Sequence, residues 1–493
     1  MTSWKNEQTM QPEDGTAQSK ESYDEPAPPN ISNDAADFYR VKPTSDRRIH
    51  VMGVGNVGKF VAHAIRGIPN PPPVTLIFSR WDKLKEWNVS EKKITVITDG
   101  DAEAREGFEA EIAIPRIRYH GKEVGLNIGS SQSNAESENT EPGPPQTLPG
   151  ESTEPISSLI VCSKAPYVLQ GLSAVKHRLN KDSVVMFLLN GMGTVEEVNR
   201  EIFPDPATRP YYMLGINSHG MHSTPDDPFA TVHAGFGTMS VGYSPQERDR
   251  NTTAYQSPDV RFTANPNKPP TYYDYTSQEQ SNDTTAATGT KIRFTSNQRY
   301  LLRTILRTPV LGAAAFSPLD LLQMQLEKLA VNCIVNPLTV LLDARNGSIL
   351  YNFALTRTMR LLLAEISLVI RSIPELRHIP NVDQRFDAAR LETRVVAIAR
   401  ATKDNISSML ADVRAGHQTE INYINGWIVN KGEELGIRCT MNYMLLNLVK
   451  GKASLISNEA KEDVPLVSER GPENEEKDDG LKIKNRQARK GNL

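Results

Sequence analysis

Apolar and polar positions follow two different rhythms along the chain. From Arg48 to about residue 245, short apolar runs end in glycine or small polar residues. They are "RIHVM" before "GVGNVG", "PVTLIF" before "SR", "KITVIT", "SSLIV" before "CSKAP", and "SVVMFLL" before "NGMG". Short apolar runs bounded by turn signals predict buried strands. The stretch "KFVAHAIRG" after the first glycine turn is amphipathic and predicts a helix. This alternation predicts an α/β, Rossmann-like N-terminal domain over residues 45–245. From Thr295 to about Lys450 a 3.6-residue period takes over and predicts an all-α C-terminal domain, residues 291–455.

Four stretches lack either rhythm. Residues 1–44 and 456–493 read as polar, disordered tails. Residues 126–156 and 246–290 read as polar insertions, the first inside the α/β domain. They explain why a chain of 493 residues has only 38% hydrophobic residues and a mean hydropathy of −0.45. The formal net charge of −3 carries no global basic signature, so nucleic acid is not an expected partner. Cys162, Cys333 and Cys439 are far apart in apolar stretches, which predicts reduced, buried thiols and no metal site. No apolar run is long enough to cross a bilayer. The opening "MTSWKNEQTMQPEDG" has no apolar signal core and little arginine, so cytoplasm is the expected location, with mitochondria as the alternative.

Candidate chemistry begins at "GVGNVG", a G-x-G-x-x-G pattern between a predicted strand and a predicted helix. Gly53 permits the tight turn, Gly55 lets a pyrophosphate approach the backbone, and Gly58 lets helix pack on strand. Gly53, Val54, Gly55, Asn56, Val57 and Gly58 are therefore the candidate cofactor cradle, with phosphates at the helix N-terminus. The second strand ends in Ser79 and Arg80, with Lys83 close by. A guanidinium there suits a 2′-phosphate and predicts NADPH rather than NADH; the alternative has Asp82 serving a ribose.

The second candidate is "EKLAVNCIVNPLTVLL", residues 327–342. At about 100° per residue, Lys328, Asn332 and Asn336 fall within an arc of about 80°, and Thr339 returns to the same face. This is one polar stripe on an otherwise apolar helix. It reads either as a snorkelling lysine with loop-bonded amides or as the wall of a cleft. In a cleft, the amides would orient a polar ligand and the ammonium would meet developing negative charge. Pro337 cannot donate to the carbonyl of Cys333, so a kink is expected there.

The order of "GVGNVG", "SKAP", "LLNGMGTVEEV", "EKLAVNCIVNPLTVLLDARNG" and "SSMLADVRAGHQTEINYINGWIV" resembles the ketopantoate reductase (2-dehydropantoate 2-reductase) family, in a fungal type with insertions. The resemblance implies a C-terminal domain like that of 6-phosphogluconate dehydrogenase. It also implies NADPH-dependent reduction of 2-dehydropantoate to pantoate, on the way to pantothenate and coenzyme A. In the family pattern Lys328 is the proton donor, and Asn332, Asn336, Asn346 and Ser408 bind substrate. Asn190 touches substrate and cofactor, while Lys164 and Glu420 contact the cofactor. The partner is a small 2-oxo acid, and an oligomer is compatible with the pattern. Each residue has a plainer reading. Asn190 starts an ordinary Asn-Gly turn, Ser408 helps begin a helix, and Glu420 complements a helix dipole. Asp412, four residues after Ser408, is a candidate to hold Lys328 or a substrate-binding residue. His219, His222 and His233 lie on different short elements and are given no role. Two alternatives stand: reduction of another 2-oxo acid on the same scaffold, and a non-catalytic relative acting in mitochondrial gene expression.

Overall fold

A computed structural model describes residues 47–114, 118–119, 122–123, 149–246 and 294–459. The polar tails and insertions expected from the sequence lie mostly outside these residues. The first half of the chain runs β1 (Ile49–Met52), α1 (Asn56–Arg66), β2 (Val74–Phe78), α2 (Trp81–Val89), β3 (Ile94–Thr98), β4 (Asp101–Arg105) and β5 (Phe108–Ile112). A short hairpin, β6 (Arg118–Tyr119) and β7 (Lys122–Glu123), follows. Then come β8 (Ser158–Val161), α3 (Val168–Val175), β9 (Val184–Phe187), α4 (Thr194–Glu201), β10 (Tyr211–Asn217), β11 (Gly220–Ser223), β12 (Ala230–Gly235) and β13 (Met239–Tyr243). The second half runs α5 (Ser296–Leu306), β14 (Ala313–Ala315), α6 (Pro318–Leu342), α7 (Phe353–Arg371), α8 (Val382–Arg385), α9 (Ala388–Ala401), α10 (Ser408–Arg414), α11 (Asn425–Glu434) and α12 (Thr440–Glu459).

The large sheet has the order β14-β13-β10-β9-β8-β1-β2-β5. β1 is parallel to β2 on one side and to β8 on the other. The chain therefore winds outward through β2 to β5, then returns to the far side of β1. That reversal makes the crevice where an open α/β sheet binds its ligand, beyond the strand ends. The run "KITVIT" forms the third strand, β3, as expected. It lies in a second sheet, β11-β12-β3-β4, while the large sheet's next strand is β5. Helix α1 touches β1 on one side and β3 and β12 on the other. Burial on both sides explains why two polar residues of α1 are also buried. Lys59 donates to the carbonyls of Pro228 and Ala230, and His63 bonds that of Glu103.

The second half is helical, as the 3.6-residue period predicts, apart from β14. These three alanines pair in parallel with β13 and complete the large sheet. Their run is too short for periodicity to detect. Helix α6 starts on Ser317, whose hydroxyl accepts from the Asp320 amide, with Pro318 in the first turn. It ends at Asp343 in the left-handed region. Its apolar residues, among them Leu326, Ala330, Cys333 and Ile334, form the centre of the helical core with α7, α9, α11 and α12.

Helix α6 runs on through Pro337, where the sequence predicts a kink. The proline leaves the carbonyl of Cys333 without its helical donor, and the Asn425 amide donates to that oxygen at 3.0 Å. Asn425 is fully buried and also donates to Asn442, which in turn donates to Glu365. Replacing Asn425 by alanine would strand buried acceptors, at a cost of about 1–3 kcal/mol each. We expect Asn425→Ala to lower the urea midpoint. Adding Pro337→Ala, which restores the missing N–H, should recover part of the loss. No recovery in the double variant would mean that Asn425 acts elsewhere.

Candidate active site

The N-terminus of α1 has no side-chain cap and no acidic residue in its first turn. Its first amide donors are therefore without a side-chain cap among the described residues. Gly53 has φ +89°, and a Cβ there would lie 2.3 Å from the Ser163 amide nitrogen. The same close packing places Gly58 against the carbonyl of Gly53. A Cβ at Gly55, by contrast, meets nothing within 4 Å. The loop thus closes tightly on the sheet and opens outward at Gly55, as a dinucleotide's pyrophosphate requires. Val54 and Val57 are half-buried in the loop, and Asn56 accepts a hydrogen bond from Ser223 of β11.

Arg80 stands at the end of β2, where it precedes α2. Its exposed guanidinium pairs with Asp82 at 2.7 Å, so both candidates for reading the ribose are present and in contact. Such an exposed pair holds by about 0–1 kcal/mol, which leaves Arg80 free to exchange Asp82 for a phosphate. Lys164 follows β8 and pairs with Asp412 of α10 at 2.5 Å. The expectation that Asp412 holds Lys328 or a substrate-binding residue is thereby corrected: it reaches across to the loop after β8.

Lys328 faces the strand ends rather than solvent. Its ammonium donates to Asn190 Oδ1 at 3.0 Å and to the carbonyl of Asn217 at 2.8 Å. An ammonium has three protons, so one remains for a ligand. Asn190 passes the contact on: its Nδ2 donates to Glu420 at 3.1 Å, and Glu420 also accepts from the Ala165 amide. Both ends of the Asn190 amide are thus fixed. Burial pushes Lys328 down to about 8, partly opposed by the Glu420 carboxylate. Burial also pushes the carboxyls of Glu420 and Asp412 up. The Asn190-Gly191 turn is more than a turn. Gly191, at φ +78°, lets the backbone approach Tyr423, whose carbonyl accepts from the Met192 amide at 2.8 Å.

Lys328, Asn190, Gly191, Leu189, Ile216, Leu329, Asn332 and Gln325 line a cavity of about 20 Å³, enough for one water. The site so assembled includes Lys328, Asn190 and Asn332 directly, with Glu420 behind Asn190. Asn336 lies two helical turns further along and is buried. Asn346 follows the end of α6, and that end lies about 21 Å along the axis from Lys328. Asn346 is buried and donates to Thr402 rather than facing the cavity. Ser408 is exposed at the start of α10, where the preceding Ser407 supplies the cap. Thr339, on the predicted stripe, is fully buried and bonded to Ser407. Gln325 escaped the sequence reading. Its signal is its position three residues before Lys328, which extends the polar stripe backward.

The histidines differ from expectation in one respect. His219 and His233 come together at 3.0 Å, although they lie on separate elements. Among the described residues no group of three or more His, Cys, Asp or Glu is placed to hold a metal. No helix among them is long and apolar enough to cross a membrane.

Comparison with known proteins places this geometry in context. The family profile described as ketopantoate reductase PanE/ApbA matches residues 49–246, and that described as its C terminal part matches residues 320–453. The chain is 26% identical over 306 residues to the Schizosaccharomyces pombe protein named "probable 2-dehydropantoate 2-reductase", covering 62% of this chain and 76% of that one. It is 25% identical over 458 residues to ketoisovalerate reductase BEA2 of Gibberella fujikuroi, covering 86% of this chain and 84% of that one. Its fold is shared with a crystal structure of a PanE/ApbA family ketopantoate reductase from Ralstonia eutropha, with a TM-score of 0.53 at 16% identity, covering 84% of this chain and all of the other.

Proposed function

This chain belongs to the ketopantoate reductase family, and on that premise we propose that it reduces 2-dehydropantoate to pantoate with NADPH. The observation that carries the reading is the Lys328 ammonium. It lies at the ends of β9 and β10, fixed by two acceptors and with one proton unassigned. The nicotinamide cofactor supplies a hydride for the ketone carbon when bound. Gly53 to Gly58 would hold its pyrophosphate, Arg80 its 2′-phosphate, and Lys164 would line its cleft. Lys328 meets the oxygen as that oxygen gains negative charge, and delivers the proton that completes the alcohol. Asn190 keeps Lys328 in place, and Asn332 and Asn336 orient the carboxylate with neutral donors. Glu420 fixes Asn190 from behind.

NADPH oxidation followed at 340 nm with 2-dehydropantoate tests this directly. Absence of turnover with any 2-oxo acid, in a protein that binds NADPH, would reject it. A second reading has one observation in its favour: the match to ketoisovalerate reductase spans more of this chain than the match to the 2-dehydropantoate 2-reductase described above. The same residues would serve a 2-oxo acid with a plain alkyl tail. For the cofactor, Arg80→Ala should raise the KM for NADPH by about 10–100-fold, the loss of a charge-assisted hydrogen bond. The KM for NADH should stay near wild type. Equal effects on both would assign the ribose to Asp82 instead.

A further inference from the structure

We propose that Gln325 sets substrate specificity in this site by binding a hydroxyl group on the tail of the 2-oxo acid. The proposal rests on the reductase reading above. Four polar side chains line the cavity beside apolar Leu189, Ile216 and Leu329. Two of them, Lys328 and Asn190, are committed to each other and to fixed acceptors and donors. The other two, Gln325 and Asn332, have no hydrogen-bond partner for their side chains among the described residues. Both amides are half-buried and face the cavity, where a ligand that displaces water can pair with them.

Their order along α6 divides the work. At 1.5 Å per residue, Gln325 lies about 4.5 Å to one side of Lys328 along the axis, and Asn332 about 6 Å to the other. A 2-oxo acid has its ketone between a carboxylate and a tail. With the ketone oxygen at Lys328, one amide faces the carboxylate and the other faces the tail. The side of Asn332 continues to Asn336, and two amides suit the several acceptor sites of a carboxylate. Gln325 is the one polar lining residue on its side of Lys328. One amide in an apolar surround fits a branched tail with a single hydroxyl. It can donate to that hydroxyl and accept from it.

Such a site discriminates in one direction. A hydroxylated tail satisfies Gln325, whereas a plain alkyl tail displaces water from the amide and leaves it unpaired. Sites built to hydrogen-bond a hydroxyl reject the analogue lacking it far better than apolar pockets reject an added hydroxyl. The structure therefore favours 2-dehydropantoate over 2-ketoisovalerate, which lacks the hydroxymethyl group.

The test compares kcat/KM for these two substrates in wild type, Gln325→Met and Gln325→Asn. Methionine keeps the length and removes the amide; asparagine keeps the amide on a shorter stem. Gln325→Met should lose about 10–100-fold on 2-dehydropantoate while holding or gaining on 2-ketoisovalerate. Gln325→Asn should recover part of the preference, and NADPH binding should be unchanged in both. Equal losses on the two substrates, or no change in their ratio, would overturn the role given to Gln325 and leave the reductase reading standing. A wild type that reduces neither these nor any other 2-oxo acid would overturn both.

Discussion

Lys328→Ala is expected to lower kcat by about 10²–10³-fold, the usual cost of removing a preorganised donor to a developing oxyanion. NADPH binding should survive, because Lys328 contacts Asn190 and Asn217 and none of the glycine loop. Single-turnover absorbance with enzyme in excess separates the two steps. The pH profile gives an independent check. Burial disfavours the charged form, so Lys328 gives up its proton near 8 rather than at the usual lysine value. Proton delivery requires the acid form, so kcat should be full below about 8 and fall as pH rises through it. Lys328→Arg keeps a charge but does not titrate in this range, so its residual activity should lack that limb. Full turnover in the alanine variant would remove Lys328 from the mechanism.

The glycine loop gives the second large effect, and two of its glycines should fail differently. Gly53→Ala forces a side chain into a positive φ, at a cost of about 1–3 kcal/mol, and drives its Cβ into the backbone of Ser163. Both the melting temperature and NADPH affinity should drop, the latter by about a hundredfold if some 3 kcal/mol is lost from the bound geometry. Gly55→Ala meets no protein atom, and its backbone is extended, so the fold should melt near wild type. The added methyl would nevertheless stand where the pyrophosphate approaches, so affinity for NADPH should fall with stability intact. Wild-type affinity in Gly55→Ala, measured by fluorescence titration, would move the cofactor away from this loop.

These expectations draw on features that the sequence displays to different degrees. The glycine loop is legible because strand, turn and helix follow one another within twenty residues, and local order is what periodicity reports. The Lys328 stripe is legible for the same reason, since helical geometry places its members together. The sheet partner of Ile94–Thr98 is not legible. Its parallel neighbour is Ala230–Gly235, and nothing within either run distinguishes pairing there from pairing with β2. The contacts that assemble the site are equally remote in sequence. Asp412 reaches Lys164, Glu420 reaches Asn190, and Asn425 repairs the gap left by Pro337. Each looks like an ordinary polar residue near a helix start until the other partner is in place.

The strand Ala313–Ala315 has a consequence for how the protein is made and how it survives damage. Its partner β13 ends at Tyr243, some seventy residues earlier, so the sheet cannot be completed until that length of chain has been closed into a loop. Loop closure costs grow only slowly with length, but they precede any gain from the pairing, which makes this a late step in assembly. Once formed, the pairing works in reverse as a clasp. A single proteolytic cut between residues 246 and 294 would leave two pieces, the first with the glycine loop and the second with Lys328. β13–β14 pairing, α6 against β13 and the Glu420–Asn190 contact would still join them. The nicked protein should run as two bands on a denaturing gel and as one species on a sizing column.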